Sequence, residues 1–361
     1  MKRALIVLLV CVLCLSSSAC GSTPEPSVAN ANFTGANCNN SCKFSCDFWA
    51  FDDSLFYMQD GFYNMGVYWS IDGNSTKLFE EADLSNELAV NSGLGDIFVS
   101  GCYLYFDVFT SNENWLYRYD LNKRSYSSVC EIPSLQRWVI SDEYFIYSEH
   151  PSNNEEKRSP LQIYSLTDGT TTEICRDVAE FGIIDGQLRY ITNAAPYELY
   201  QYNYAEKRSV LLGAFDCEFD DGYDVFNFTP DAVVMYNWGE GCDRSLVVYT
   251  LSSAETQVYT LPKGIQDMVA ADRYAYALLY DTQTHSYEAV PSDANGIYRI
   301  SLDDGSYEII EHDIDSVTNI HVATDDCLYM IRGKYNAVFL YSSHAYRYDH
   351  STGTTEKLAE F

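Results

Sequence analysis

Basic charge, helical periodicity and long apolar runs are all scarce in this 361-residue sequence. Only 22 Lys and Arg stand against 52 Asp and Glu, a formal net charge of −30. A surface field of that sign repels polyanions and leaves no phosphate-binding footprint, which excludes nucleic acid as a partner. The one long apolar stretch, Ala4 to Leu15, has twelve residues, too few to cross a bilayer. Apolar residues rarely recur at helical spacing, so little of the chain reads as helix. Catalytic signatures are missing too: no Gly-x-Ser-x-Gly, His-Glu-x-x-His, phosphate-binding loop or Gly-rich dinucleotide fingerprint occurs. The six His residues are scattered, none at ligand spacing to another, and no cofactor is expected.

Aromatic residues are plentiful. With 31 Tyr, 18 Phe and a hydrophobic content of 47%, the composition suits pleated, half-buried strands. The first residues are different in kind. Lys2 and Arg3 precede the apolar stretch, Ser16 to Ala19 follow it as a small-residue cleavage region, and Cys20 comes next. This segment resembles a bacterial lipoprotein signal, which implies that residues 1–19 are removed and that Cys20 carries a diacylglyceryl group. An ordinary secretory signal cut at the same place is the alternative. The lipid reading implies an extracytoplasmic protein anchored to the cell membrane, held by more than one acyl chain. Residues 20–45, rich in Ser, Asn, Thr, Pro and Gly, read as a flexible spacer.

From residue 46 to 361 one unit recurs: an aliphatic residue, usually a Tyr, alternating residues, a turn, and a second strand. Copies include GVYWSIDGNSTKLF, WLYRYDLNKRSYSSVC, IYRISLDDGSYEII and AYRYDHSTGTTEKL. Equivalent positions are read at Tyr68, Tyr117, Tyr164, Tyr200, Val247, Tyr298 and Tyr346, spaced 49, 47, 36, 47, 51 and 48 residues apart. Each copy is preceded by two further strand signals, such as GDIFVSG and CYLYFDVF. Seven repeats made only of strands predict an all-β fold, a seven-bladed β-propeller of four-stranded antiparallel blades. The repeated Tyr is read first as packing between blades. Whole blades fill residues 46–361, so no strand is left over to close the ring.

On these repeats and the signal, the sequence resembles the propeller lipoproteins of Gram-positive bacteria, related in architecture to the propeller of TolB. The resemblance implies a fold and a location, and no activity. Ser301-Leu-Asp303-Asp-Gly305 is similar to a sialidase Asp box, and Asp349-His-Ser-Thr352-Gly353 to a quinoprotein turn. Neither carries the aromatic that completes its motif, and both read better as hairpin turns.

A site is expected where blades connect, around the mouth of the central channel. Aligning the innermost strands places Asp47, Asp96, Arg137, Glu180 and Asp267 at one level, with Asp224 and Asn319 close to it. Such a ring favours a cation, an amine or a basic peptide, or faces channel water with no ligand. Trp238, His285, Tyr287 and Tyr335 fall in long loops at the same mouth. Ala337 to Tyr341 reads as a hairpin that extends its blade, or as a partner-binding lip.

Nine cysteines remain after Cys20, an odd number, so at least one is free or intermolecular. Cys217 and Cys242 are expected to form a disulfide, because the strands between them return the chain to its starting face. Asp216, Glu218, Asp220 and Asp221 beside it read as a solvated acidic turn, with calcium the alternative, although Asp221 stands where a calcium loop needs Gly. Three functions stay open. They are a binding module for a glycan, peptide or envelope protein, a scaffold of an envelope complex, and a carbohydrate-active enzyme.

Overall fold

The computed structural model describes residues 40–41, 48–51, 54–61, 64–71, 74–80, 83–84, 93–109, 113–133, 135–141, 143–149, 159–216, 223–238, 244–280, 295–312, 317–323, 327–336 and 339–360. After a short strand β1 (Asn40–Ser41) come seven antiparallel sheets, each made of four consecutive strands. Blade 1 is β2 (Phe48–Phe51), β3 (Ser54–Gly61), β4 (Asn64–Ile71) and β5 (Asn74–Glu80). Blade 2 is β6 (Gly93–Ser100), β7 (Tyr103–Phe109), β8 (Asn114–Asp120) and β9 (Ser125–Ile132). Blade 3 is β10 (Leu135–Ser141), β11 (Tyr144–Glu149), β12 (Leu161–Ser165) and β13 (Thr171–Cys175). Blade 4 is β14 (Val178–Ile184), β15 (Gln187–Thr192), β16 (Tyr197–Asn203) and β17 (Arg208–Phe215). Blade 5 is β18 (Tyr223–Phe228), β19 (Ala232–Trp238), β20 (Ser245–Thr250) and β21 (Glu255–Thr260). Blade 6 is β22 (Gly264–Ala271), β23 (Tyr274–Tyr280), β24 (Gly296–Ser301) and β25 (Tyr307–His312). Blade 7 is β26 (Val317–Ala323), β27 (Cys327–Asn336), β28 (Phe339–Asp349) and β29 (Thr354–Glu360).

The first strand of every blade touches the first strand of the next, and β26 returns to β2. That is a closed ring of seven blades around a channel, as the repeats predict. Among the described residues, neither blade 1 nor blade 7 borrows a strand from the other. Closure therefore rests on packing between blades. The core lies there: Phe79 of blade 1 meets Phe106 and Tyr119 of blade 2, with ring centroids 4.8 and 5.3 Å apart. Phe56, Phe106, Phe145, Phe181 and Phe228 are all fully buried. At about 25 cal/mol per Å² of apolar surface, such side chains dominate the favourable side of folding.

One register differs from the sequence reading. The third and fourth strands are offset by a bulge just before Tyr68, Tyr117, Tyr200, Tyr298 and Tyr346, and in blade 3 just before Gln162. The residue seven positions later has positive φ in blades 2 to 7: Arg124, Gly169, Lys207, Ala254, Gly305 and Gly353. Gln162, not Tyr164, is thus the equivalent position in blade 3. A slip of two residues keeps a strand's faces unchanged, so alternation alone does not detect it. The two motif-like segments are turns, as read: Gly305 and Gly353 donate to the carbonyls of Ser301 and Asp349 at 3.0 and 2.9 Å.

Candidate functional site at the channel entrance

The first and second strands of blades 2, 3, 4 and 6 share a bulge, between Leu94 and Ile97, Leu135 and Arg137, Val178 and Glu180, and Ile265 and Asp267. Each bulge brings its polar residue, Asp96, Arg137, Glu180 or Asp267, to the same level near the end where blades connect. A bulge leaves a main-chain group without its ladder partner. Glu180 supplies one: its Oε1 accepts the Phe181 N–H at 3.1 Å. Its Oε2 pairs with the Arg137 guanidinium across the blade 3/4 junction. Glu180 is 2% exposed. Burial pushes its carboxyl above the usual range, and the Arg137 charge pulls it back.

Asp267 repeats the arrangement with a different partner. Its Oδ1 accepts the Met268 N–H and its Oδ2 the Ile320 N–H of blade 7, both at 2.9 Å. The polar level at the entrance therefore joins blades through two carboxylates that bridge to a neighbour.

Blade 2 carries a second acid at this level. Asp107 on β7 lies opposite the Gly95–Asp96 bulge, where β11, β15 and β23 have Ser148, Ile191 and Leu278. Its Oδ1 accepts the Trp138 indole N–H of blade 3 at 3.2 Å. A Cβ on Gly95 would meet Asp107 Oδ2 at 2.2 Å, so a larger residue there would displace the carboxylate. Burial, then the neighbouring Asp96 charge, pushes the Asp107 carboxyl up to about 7. Asp107 thus changes charge near neutral pH, as a general acid or a proton-dependent contact needs. The sequence reading aligned only first strands and missed it. The signal was an acid at a second-strand position that is uncharged in its counterparts.

Asp224 on β18 and Asn319 on β26 occupy unbulged positions, opposite Asn237 and Ile331. Tyr335 lies in β27 opposite Leu340, so β27 and β28 form the long hairpin that extends blade 7. Trp238 ends β19. Cys20, Asp47, His285, Tyr287, Cys217 and Cys242 lie outside the described residues. Among the described residues, Cys102, Cys130 and Cys175 are free thiols, and burial pushes Cys130 up to about 11. A thiol so raised is a poor nucleophile. No group of three or more metal-ligating side chains gathers among the described residues.

The architecture is shared with solved structures. A prolyl endopeptidase aligns with 89% of this chain and 50% of its own, at 14% identity and a TM-score of 0.60. The β-propeller domain of the Trilobed protease from Pyrococcus furiosus, described as having an open velcro topology, aligns over 88% of this chain and 97% of its own, at 11% identity and a TM-score of 0.57. Oligopeptidase B from Trypanosoma brucei aligns over 88% of this chain and 49% of its own, at 11% identity and a TM-score of 0.58. This chain spans about half the length of the two whole peptidases and nearly all of the isolated propeller domain. At these identities the likeness establishes the fold alone. No family model and no curated protein matches the sequence.

Proposed function

We propose that this chain is an extracytoplasmic propeller, lipid-anchored through Cys20, that binds a glycan, peptide or envelope protein at the entrance face without transforming it. The supporting observation is the position of the blade 7 hairpin. β27 and β28 run for ten and eleven residues against six or seven in their counterparts in blade 6, so the two paired strands reach further toward the face where the polar level sits. A shaped lip beside a polar mouth is what a ligand surface needs. The propeller domains of peptidases among the structural neighbours favour a polypeptide first. The ring residues Asp47, Asp96, Arg137, Glu180, Asp224, Asp267 and Asn319 and the aromatics Trp238, His285, Tyr287 and Tyr335 define the surface to mutate. Glycan-array and peptide-library binding to the mature chain tests this reading. Saturable binding abolished by shortening the hairpin supports it, and turnover of a bound peptide or polysaccharide overturns it. If calcium occupies the acidic mouth, the melting temperature rises in millimolar calcium by mass action.

One observation favours a second reading, a carbohydrate-active enzyme. Asp107 is raised to about 7 beside Asp96, and two neighbouring carboxyl groups, one of them able to hold a proton near neutral pH, are the equipment of glycoside hydrolysis. Hydrolysis of a polysaccharide lost in Asp107→Asn at constant binding would establish it.

A further inference from the structure

We infer that the channel-facing edge of blade 4 is a strand-accepting site filled by the chain's own segment at Asn40–Ser41, which plugs the channel from within. This goes beyond the ligand reading and does not depend on it. The innermost strand of a blade presents one unpaired row of N–H and C=O groups to the channel, a ready template for another strand. On blade 4 that row is used: β1 pairs antiparallel with β14, Asn40 opposite Ile183 and Ser41 opposite Gly182, which makes this sheet five-stranded. β1 also touches β18, the innermost strand of blade 5. A strand held between two innermost strands stands in the channel.

A second observation comes from the first strands alone. Two residues beyond the polar level, the seven blades carry Trp49, Phe98, Val139, Gly182, Phe226, Val269 and His321. Six are bulky, and the one Gly is the residue that faces Ser41. Glycine inside a strand weakens it and marks a place where another backbone comes close. Blade 4 gives up a side chain where the other blades keep one, at the point where the extra strand docks.

Polarity sets the direction of the thread. β14 runs from the blade connection at Asp177 toward the turn at Asp185 and Gly186, so β1, being antiparallel, runs toward the entrance. All first strands start at the entrance face, and β2 begins at Phe48, seven residues after Ser41. β1 thus enters the channel from the opposite face. An anchor at Cys20 would put that opposite face toward the membrane and the entrance away from it, and a ligand would be confined to the mouth.

Placing the photo-crosslinker p-benzoylphenylalanine at position 41 of the mature chain tests this directly. Cross-linked peptides mapped by mass spectrometry should fall within residues 178–184 or 223–228. Cross-links to the outermost strands, or none inside the chain, overturn the inference. Gly182→Val, which installs the residue of blades 3 and 6, should abolish that cross-link and open the chain at residues 40–41 to protease. An undiminished cross-link in Gly182→Val overturns the role given to Gly182. Should Gly182→Val fail to fold, the mapping in the chain that keeps Gly182 decides the placement alone.

Discussion

Blades 3 and 4 meet at the channel through Arg137 and Glu180, whereas blades 6 and 7 meet at the same level through Asp267 and the Ile320 amide. The bulge is the same, and in both a carboxylate oxygen turns back on the next N–H of its own strand. Only the partner differs, a guanidinium in one case and a main-chain donor in the other. The level is therefore fixed by backbone geometry, and the side chain there serves first as a fastener between blades. A ligand that recruits these carboxylates competes with bonds the fold already uses.

The two junctions should fail differently. Arg137→Met keeps the bulk of the stem but leaves Glu180 buried beside an apolar group. Removing one partner of a buried ion pair costs about 3–5 kcal/mol. The Glu180 carboxyl, already raised by burial, would rise further without Arg137 and bind a proton that the unfolded chain releases. More protons bound in the folded state means that stability falls as pH increases. Urea titrations should show Arg137→Met losing stability between pH 5 and pH 8 relative to the parent chain. A pH-independent loss would mean that Glu180 finds another cation.

The blade 2/3 junction gives the third version, with an acid that works against the fold. Asp107 is pushed up to about 7, so below its ordinary value it is neutral in both states and contributes no pH dependence. As pH rises from about 4 to 7 the unfolded chain ionises first, and stability is lost. Asp107→Asn keeps an oxygen for the Trp138 indole and removes the ionisation. Relative to the parent chain it should gain roughly 2 kcal/mol between pH 5 and pH 8, at about 1.4 kcal/mol per unit of pKa shift. Equal gains at both pH values would place the Asp107 pKa near its ordinary value.

Asp267→Asn tests the main-chain version. The Met268 and Ile320 N–H groups lie against different carboxylate oxygens, so in the amide one of them would face the NH2, a donor. An unsatisfied buried donor costs about 1–3 kcal/mol, and no buried charge is stranded. A pH slope as steep as that of Arg137→Met would erase the contrast between the junctions.

The fold was legible because each blade repeats the same alternation and turn chemistry, so errors in single strands average out over seven copies. The level of Asp96, Arg137, Glu180 and Asp267 was legible for the same reason. Their partners were not. Whether Glu180 faces an Arg or water depends on which blade lies beside it and where its bulge falls, and neither leaves a mark in local periodicity. Asp107 was hidden by a different cause: its strand alternates normally, and only the comparison across second strands exposes the extra acid. The slip in blade 3 shows the limit of alternation, since Tyr164 and Gln162 share a face and only the turn that follows tells them apart.

That turn allows the same kind of comparison at the other end of the blades, with the smallest expected effect. Six of the turns between third and fourth strands place a residue at positive φ. It is Gly in blades 3, 6 and 7, but Arg124, Lys207 and Ala254 in blades 2, 4 and 5. In blades 2 and 7 the turn is closed in the same way: the Arg124 N–H reaches the Asp120 carbonyl at 2.7 Å, and the Gly353 N–H reaches the Asp349 carbonyl at 2.9 Å. A side chain in the left-handed region costs about 1–2 kcal/mol. Replacing it with Gly removes that strain but frees the unfolded chain, which offsets roughly 0.5–1 kcal/mol. Ala254 is the cleanest site, since its exposed methyl group takes no part in the turn's closure. Ala254→Gly should stabilise by up to about 1 kcal/mol, readable as a small rise in the urea midpoint with an unchanged slope. Gly353→Ala should lose a similar amount, because it creates in blade 7 the strain that blade 5 already carries. If both substitutions destabilise, the left-handed residue in blade 5 is held by contacts beyond its own turn.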